Sequence, residues 1–235
     1  MSKSLEGQLA LVTGASRGIG AATAEALAAE GAHVILTART VAGLEEVEER
    51  IHDAGGNATI APLDLADADG ITRLAEAIGG RWKALDILVL NAGTLGTLTP
   101  VPHIDAKEFA RVIALNLTAP AAIIGAFDAM LRNAAGARVI GLTSSVGKTP
   151  RAYWGAYGAS KAALETLLGS YAEETRNIGR VKVAIVDPGA TRTAMRARAY
   201  PGEDPAEVKA PEVVAARILA LAIEGFETGH HDHIN

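Results

Sequence analysis

The sequence predicts a doubly wound α/β domain, in which one parallel sheet carries helices on both faces. Short runs rich in β-branched residues alternate with longer helical segments along the whole chain. The runs are apolar throughout, as at 87–90, which is typical of strands buried on both faces of a parallel sheet. The length of 235 residues fits one large domain spanning 1–235 better than two ordinary ones.

The elements follow from this alternation of patterns. Strands are expected at Leu9–Thr13, His33–Ala38, Asn57–Leu63, Asp86–Asn91, Ala137–Thr143 and Val181–Val186. Helices are expected at about 18–30, 41–54, 67–79, 105–133 and 156–177, with glycines favouring several of their ends. The segment at about 190–211 is rich in Ala, Arg and Pro, and we expect a loop with some helix. A lid over the substrate is favoured there over a mobile surface excursion.

Composition excludes several classes of protein. The absence of cysteine removes disulfides, thiol nucleophiles and cysteine-ligated metal sites. A net charge of −5 argues against nucleic acid as a partner. The most apolar stretch, Pro120–Leu131, contains Asp128 and is too short to span a membrane, and the start lacks the apolar core of a signal peptide. We therefore expect a cytoplasmic protein that binds neither nucleic acid nor membrane.

A glycine-rich loop joins the first strand to the first helix. Its spacing, G-x-x-x-G-x-G, leaves backbone amides and the positive end of a helix free to bind a pyrophosphate. A larger side chain at the first or last glycine would prevent close approach of the backbone. The candidate cofactor-binding residues of this loop are Gly14, Ser16, Arg17, Gly18, Ile19 and Gly20.

The end of the second strand indicates which dinucleotide is preferred. A carboxylate at this point would bind the ribose 2′-hydroxyl of NAD, but the strand ends without one and Arg39 follows. Arg17, in the glycine loop, can face the same place. Two guanidinium groups suit a 2′-phosphate by charge and geometry. The sequence therefore predicts NADP(H) in preference to NAD(H).

Tyr157 and Lys161 are candidates for acid–base chemistry. Four residues apart on a helix, they share one face, and a nearby ammonium favours the phenolate and lowers the pKa of a tyrosine. Such a pair is common, but here hydroxyls follow the fifth strand at Ser144 and Ser145. Tyr153 is a competing tyrosine that has no lysine four residues later. Polar groups after strands one, four, five and six are expected to converge at one edge of the sheet.

These residues together resemble the short-chain dehydrogenase/reductase family, over essentially the whole chain. The resemblance implies a single-domain Rossmann-like fold and a catalytic tetrad of Asn116, Ser144, Tyr157 and Lys161, with Ser145 as the second choice of serine. Beside the glycine loop and Arg39, it implies further cofactor-binding residues, namely Asp64, Leu65, Asn91, Ala92, Gly93, Tyr157, Lys161, Pro188, Gly189, Thr191 and Thr193.

The resemblance also implies a mechanism and a quaternary structure. The protein would be an NADPH-dependent oxidoreductase acting on a small carbonyl or secondary alcohol, with Tyr157 as general acid/base and Ser144 holding the substrate oxygen. Lys161 would bind the nicotinamide ribose and lower the Tyr157 pKa, and Asn116 would anchor a water that leads to solvent. The segments 105–133 and 156–177 would also pack in a homodimer or homotetramer.

Two other functions remain open on the sequence. The first is reduction of a 3-oxoacyl thioester on an acyl carrier protein, an acidic partner that Arg192, Arg196 and Arg198 could dock. The second is a non-catalytic NADP(H)-sensing protein that binds a partner, against which the intact tetrad argues. In the His-rich C-terminus, a plain, partly mobile tail is favoured over a metal site, and no metal is expected. We expect the chain to stop short of the family's usual final strand.

Overall fold

The computed structural model describes residues 3–235. Within them, a seven-stranded sheet has the order β3-β2-β1-β4-β5-β6-β7, and every neighbouring pair is parallel. The strands are β1 Leu9–Thr13, β2 His33–Ala38, β3 Asn57–Pro62, β4 Ile87–Leu90, β5 Ala137–Leu142, β6 Val181–Asp187 and β7 His230–His233. The six predicted strands are confirmed to within one residue at each end. Their order reverses between β1 and β4, where an open α/β sheet forms its ligand crevice.

The helices cover both faces of the sheet. They are α1 Gly18–Ala29, α2 Val41–Asp53, α3 Ala68–Gly79, α4 Ala106–Ile113, α5 Ala119–Asn133, α6 Ser145–Lys148, α7 Gly155–Arg176, α8 Ala194–Ala199 and α9 Pro211–Glu224. The predicted helix at 105–133 is divided by a π turn at Ala114–Thr118. Helix α9 was not predicted, because apolar residues are spread around the helix and weaken its amphipathic pattern, although only one face is buried.

Successive side chains along each strand point to opposite faces of the sheet, so that each face has its own hydrophobic core. Val34 and Leu36 belong to the core beneath α1 and α9, whereas Ile35 belongs to the core beneath α5 and α7. Strands buried on both faces need apolar residues at every position, which is why their runs are uninterrupted. The two cores fix the carboxyl ends of β1, β4, β5 and β6 relative to one another.

The stretch Ala106–Asn133 passes the length and apolarity test for a membrane-spanning helix. In the structure its apolar residues cover the sheet, since Ile123, Phe127 and Leu131 are buried in the core. The polar side is marked by Asp128, which accepts a hydrogen bond from the Tyr171 hydroxyl at 2.7 Å. The apolar composition is therefore explained by packing against β4 and its neighbours.

The expectation of a mobile tail without a final strand is wrong. His230–His233 pairs in parallel with β6 over four residues, from Ala184–His230 to Asp187–His233. The pattern was missed because its residues have low β propensity and no apolar alternation. Partners from distant elements stabilise this edge strand instead, since Arg217 Nε donates to Asp232 at 2.5 Å and His233 Nδ1 lies 3.0 Å from Asp187.

Candidate active site

The predicted functional residues gather where the carboxyl ends of β1, β4, β5 and β6 meet. The first contact is between the glycine loop and the start of the loop after β4. Asn91 Nδ2 donates to the carbonyls of Thr13 at 2.8 Å and Gly14 at 3.2 Å. A Cβ atom at Gly20 would lie 2.3 Å from the Gly14 carbonyl oxygen and 2.5 Å from Asn91 Nδ2. Glycine is therefore required for the loop to fold this tightly.

Thr13 links the same two loops and was missed by the sequence analysis. Its hydroxyl donates to the Val89 carbonyl at 3.2 Å and accepts from the amides of Asn91 at 2.9 Å and Ala92 at 3.0 Å. Its side chain is buried, so these bonds are shielded from water. The sequence did offer a clue to its role, because Thr13 is the one residue with a hydroxyl in the otherwise apolar strand β1 and stands at its end.

The start of α1 fits the pyrophosphate of a dinucleotide. Its first turn contains no acidic residue, and the N-cap residue Arg17 makes no side-chain capping bond, so the amides of this turn remain available to an anion. Gly18 adopts a left-handed φ of +57°, and a Cβ there would meet only Thr193 at 3.4 Å. Thr193 therefore lies close to the glycine loop at Gly18.

Arg17 and Arg39 are both exposed and lie near the same end of the sheet. The start of α2 packs against the glycine loop, since a Cβ at Gly43 would lie 3.1 Å from Ser16 Cβ. Within residues 3–235 neither arginine forms an ion pair. Their charges are therefore available to an anionic ligand beside the loop.

Asn116 and Lys161 approach each other beneath Gly93. A Cβ at Gly93 would lie 3.3 Å from Asn116 Oδ1 and 3.6 Å from Lys161 Nζ. The Asn116 amide is fully engaged, since it bonds both backbone groups of Thr94 at 2.8 and 2.9 Å and the Ser160 hydroxyl at 2.9 Å. Both N–H groups of the Asn116 side chain are therefore occupied by protein acceptors. A π turn leaves a backbone carbonyl without its usual helical partner.

Tyr157 is buried beside Ser144. Burial raises the pKa of Tyr157 to about 12, the hydrogen bond with Ser144 lowers it, and the charge of Asp187 raises it. We expected Lys161 to lower the pKa of Tyr157, but the pKa is raised overall. Burial of the phenol outweighs the effects that stabilise the phenolate. Ser144 is the serine that influences the Tyr157 phenol, whereas the Ser145 hydroxyl lies 3.5 Å from Arg151 Nη2. At neutral pH the side chain is a phenol, the form required of a proton donor.

Lys161 is held by a backbone carbonyl. Its Nζ donates to Leu142 at 2.8 Å and lies 5.8 Å from the centre of the Tyr157 ring. Burial lowers the pKa of Lys161 to about 8, and the charge of Glu165 opposes this shift. Glu165 accepts a hydrogen bond from the Thr143 hydroxyl at 2.6 Å. Glu165 was missed by the sequence analysis, although it occupies the same helix face four residues after Lys161.

The segment after β6 closes the other side of the crevice. Gly189 has a φ of +60°, and a Cβ there would lie 2.4 Å from the Ile234 carbonyl oxygen. The Thr191 hydroxyl donates to the Pro188 carbonyl at 3.0 Å, and Thr193 caps α8 by accepting from the Arg196 amide at 3.2 Å. The predicted motif is therefore ordered by β7, an element that the sequence analysis did not expect.

The remaining cofactor candidates lie farther along the same edge. Asp64 and Leu65 follow β3, two strands away from β1. The Asp64 carboxylate is exposed and accepts from the Ala66 amide at 3.1 Å, whereas Leu65 is buried in the core. Ile19 is half-buried against the opposite core. These three residues do not contact the tetrad.

The arginines expected to dock an acyl carrier protein are mostly engaged within the chain. Arg196 forms a two-point ion pair with Glu203, with Nε–Oε2 at 2.6 Å. Arg198 donates to the Gly96 carbonyl at 2.8 Å. Arg192 is exposed. This arrangement ties α8 to the loop after β4, and among residues 3–235 the Arg192 guanidinium has no hydrogen-bond or ion-pair partner.

The histidines of β7 point in alternate directions, as strand geometry requires. His231 Nδ1 lies 3.3 Å from Lys148 Nζ, while His233 faces Asp187. Within residues 3–235 there is no group of three or more side chains that could hold a metal ion.

The fold and this site define a dinucleotide-dependent oxidoreductase, and comparisons with known proteins agree. The short chain dehydrogenase family model matches residues 8–204. The chain therefore belongs to the short-chain dehydrogenase/reductase family and is an oxidoreductase of that family.

Related proteins can be aligned with nearly the whole chain. It is 36% identical over 220 residues to the uncharacterized oxidoreductase YciK of Escherichia coli K12, covering 92% of this chain and 86% of that protein. It is 33% identical over 236 residues to the cis-4-hydroxycyclohexanecarboxylate dehydrogenase of Sinomonas cyclohexanicum, covering 94% and 92%. It is 35% identical over 241 residues to the rhamnolipids biosynthesis 3-oxoacyl-[acyl-carrier-protein] reductase of Pseudomonas aeruginosa, covering 93% and 90%.

Solved structures of related proteins also superimpose on almost the whole chain. A short chain dehydrogenase of Pseudomonas syringae superimposes with a TM-score of 0.95 at 38% identity, covering 99% of this chain and 96% of that one. A short chain dehydrogenase of Escherichia coli CFT073 complexed with NADPH has a TM-score of 0.94 at 34% identity, covering 99% and 98%. The Rossmann-like fold is thus confirmed, and a neighbour of the same fold holds NADPH.

Proposed function

We propose that the protein is an NADPH-dependent carbonyl reductase or secondary-alcohol dehydrogenase in which Tyr157 is the general acid/base. The observation that carries the proposal is that the phenol of Tyr157 is buried near Ser144 and near Lys161, whose Nζ lies 5.8 Å from the centre of the phenol ring. A phenol and a hydroxyl at the crevice can both hydrogen-bond one substrate oxygen. We place this domain over residues 1–235, with the segment at about 190–211 as a short lid.

We infer that the glycine loop, Asn91–Gly93 and the segment from Pro188 to Thr193 bind the dinucleotide, because they follow strands whose carboxyl ends meet at one edge of the sheet. Bound NADPH supplies the hydride, and the chain supplies position and electrostatics. Arg17 and Arg39 support NADP(H) in preference to NAD(H), because both are exposed cations without an ion-pair partner in residues 3–235. We assign the adenine end to Asp64 and Leu65.

Each member of the tetrad then has one task. Ser144 donates a hydrogen bond to the substrate oxygen and orients it. Tyr157 gives its phenolic proton to that oxygen. Its raised pKa keeps the phenol protonated before the reaction, and a nearby ammonium lowers the cost of forming the phenolate. Lys161 holds the nicotinamide ribose and stabilises the phenolate that forms. Lys161 then gives a proton to the Tyr157 phenolate, and the π turn at Asn116 offers a backbone carbonyl for a water that replaces the proton lost by Lys161.

The experiment is NADPH oxidation against a panel of ketones, aldehydes, diketones, quinones and 3-oxoacyl thioesters, repeated with NADH. Tyr157→Phe is expected to lower turnover about 10²–10⁴-fold, because the proton donor is lost, with NADPH affinity unchanged. Tyr153→Phe is the matched control, because its exposed ring makes no contact with Ser144 in the described chain. Full turnover by Tyr157→Phe would overturn the assignment.

Reduction of a 3-oxoacyl group on an acyl carrier protein is the second candidate, since one relative carries that name. Such a carrier is acidic, and Arg192 is the one arginine of the expected docking surface that is not engaged. Binding of acyl carrier protein that weakens with salt would support this candidate. Tight NADPH binding with no turnover across the panel would instead favour the NADP(H)-sensing role.

We further propose a cytoplasmic location and a homodimer or homotetramer built on α5 and α7. The substrate partner is a small molecule, and we assign neither nucleic acid nor a membrane to this protein. The net charge of −5 supports the first exclusion. Packing of the 106–133 stretch on the sheet supports the second.

A further inference from the structure

The surface next to Tyr157 is apolar and aromatic. Leu95 and Val146 form a buried cluster with Tyr157, and Trp154 and Met195 pack against it while partly exposed. The Trp154 ring meets the Tyr157 ring edge-on, with 5.9 Å between the ring centres. A substrate that presents its carbonyl to Tyr157 therefore rests its carbon skeleton on this surface, which favours a compact apolar body.

Arg151 stands at the rim of this apolar surface. Arg151 Nη1 donates to the Tyr200 hydroxyl at 3.2 Å, and Nη2 lies 3.5 Å from Ser145 Oγ. Tyr200 packs on Trp154, with 5.8 Å between the ring centres, so Arg151 borders the same surface. Ser145 directly follows Ser144, about 4 Å away along the backbone. The guanidinium is thus held close to the place where the substrate oxygen binds.

The charge of Arg151 is not compensated within the described chain. Arg151 is exposed, and in residues 3–235 it has no carboxylate ion-pair partner. Its two contacts are neutral hydroxyls. The nearby Arg196 is different, because Glu203 neutralises it and its guanidinium also stacks on Tyr200, 3.8 Å from the ring centre. Arg151 is therefore a cation at this rim that remains able to bind an anion.

The turn that presents Arg151 is held in an unfavourable backbone conformation. Tyr153 has a φ of 73°, a left-handed value that costs a non-glycine residue about 1 kcal/mol or more. The Tyr153 carbonyl accepts a hydrogen bond from the Thr99 amide at 3.0 Å, which fastens the turn to the loop after β4. A strained turn kept by the fold positions its side chains firmly, and here those side chains are Arg151 and Trp154.

We propose that Arg151 binds a carboxylate of the substrate, and that the substrate is a compact apolar ketone or secondary alcohol carrying one carboxylate. This inference rests on the reductase function proposed above. A guanidinium fork matches the two oxygens of a carboxylate, and one positive charge matches one negative charge. The carboxylate takes the place of the neutral hydroxyl contacts of Arg151, while the carbonyl is held by Ser144 and Tyr157.

The test compares acids with esters of nearly the same shape. The probes are the keto acids 4-acetylbenzoate and 4-oxopentanoate. Each is compared with its methyl ester, which lacks the negative charge but keeps the ketone. With NADPH, we expect the wild-type enzyme to have a kcat/KM for the acids about tenfold or more above that for the esters. Raising the ionic strength should reduce this preference, because Arg151 is exposed to solvent.

The variant Arg151→Gln should raise KM for the acids about tenfold and leave the esters unchanged, while Arg151→Lys restores part of the preference. Arg180→Gln is the matched control, since it removes the same charge at the amino edge of the sheet, where the Arg180 carbonyl pairs with Ala137. Equal kcat/KM for acids and esters in the wild type would overturn the proposal. So would an equal loss on both in Arg151→Gln, which indicates a structural role.

A binding measurement separates this proposal from the reductase function. Calorimetry with benzoate and benzamide on the NADPH-loaded protein should show benzoate binding that Arg151→Gln weakens about tenfold. Arg151-dependent benzoate binding without turnover of any ketone would sustain the anion site and overturn the reductase function. Turnover of neutral ketones with equal binding of benzoate and benzamide would sustain the reductase function and overturn the anion site.

Discussion

Two buried groups at the crevice have pKa values displaced toward their neutral forms. Burial raises that of Tyr157 to about 12, and burial lowers that of Lys161 to about 8. Tyr157 therefore stays protonated throughout the neutral range. Lys161 changes charge within reach of an ordinary assay, since it is an ammonium below about pH 8 and an amine above it. The charge of Lys161 is needed when the phenol loses its proton.

We therefore predict that kcat/KM for NADPH-dependent reduction is constant at neutral pH and falls as the pH rises through about 8. The fall reports the loss of the Lys161 ammonium in the free enzyme, whereas the Tyr157 phenol is still intact there. Initial rates from pH 6 to 10 at constant ionic strength measure it. A profile that stays flat to about pH 10 would show that the titration of Lys161 does not limit the reaction.

A substitution at Glu165 tests the cause of this pH dependence. The Glu165 carboxylate raises the pKa of Lys161, so Glu165→Gln should move the fall in kcat/KM to lower pH. The amide can still accept the hydrogen bond from the Thr143 hydroxyl, which keeps the local structure. An unchanged profile in this variant would assign the fall to another group.

Single residues also show how far the sequence analysis reached. The spacing of Tyr157 and Lys161 predicted a shared helix face, which the structure has. The expected direction of the Tyr157 pKa was wrong, because the helix pattern does not reveal how deeply the phenol is buried. The backbone strain at Tyr153 was also beyond the sequence, since it depends on the Thr99 contact from another loop.

At the level of elements, Thr13 joins the end of β1 to the loop after β4. We predict that Thr13→Val lowers the free energy of unfolding by about 1–3 kcal/mol, because the partly buried amides of Asn91 and Ala92 lose their acceptor. NADPH affinity should fall as well, since Asn91 shapes the glycine loop. Urea denaturation and calorimetry provide the two measurements.

Thr23 provides the control for this substitution. It is fully buried in α1, and within residues 3–235 its hydroxyl has no hydrogen-bond partner. Thr23→Val keeps the shape and removes only this hydroxyl, so it should be neutral or slightly stabilising. Equal stability of the two variants would refute the structural role given to Thr13.

The C-terminal strand β7 supports the segment that follows β6. The Ile234 carbonyl accepts from Lys209 Nζ at 2.7 Å, and Asp232 pairs with Arg217. Removal of 230–235 should destabilise the protein by about 2–3 kcal/mol, or roughly 5–10 °C in Tm, because β6 loses its edge partner. Calorimetric melting measures the effect, with removal of Asn235 alone as the control. Equal Tm values for the two truncations would show that β7 adds no stability.

For the whole molecule, we predict a mass in solution of two or four times 24.2 kDa by light scattering. The proposed interface helices carry small residues outward, and a Cβ at Gly169 in α7 would meet no atom within 4 Å. Gly169→Arg should therefore dissociate the assembly and leave the protomer folded, because the added side chain fits the protomer and not a packed interface. A wild-type mass of 24.2 kDa would reject the assembly.

The sequence by itself determined the parallel sheet, the glycine loop and the spacing of Tyr157 and Lys161. These features depend on local periodicity and on residues close together in the chain, which a sequence displays directly. Only the tertiary structure decided the burial of Tyr157, the hydrogen bonds of Thr13, the strand at His230–His233 and the freedom of Arg151. Each of these depends on groups distant in the chain, whose distances and desolvation are fixed only when the sheet assembles.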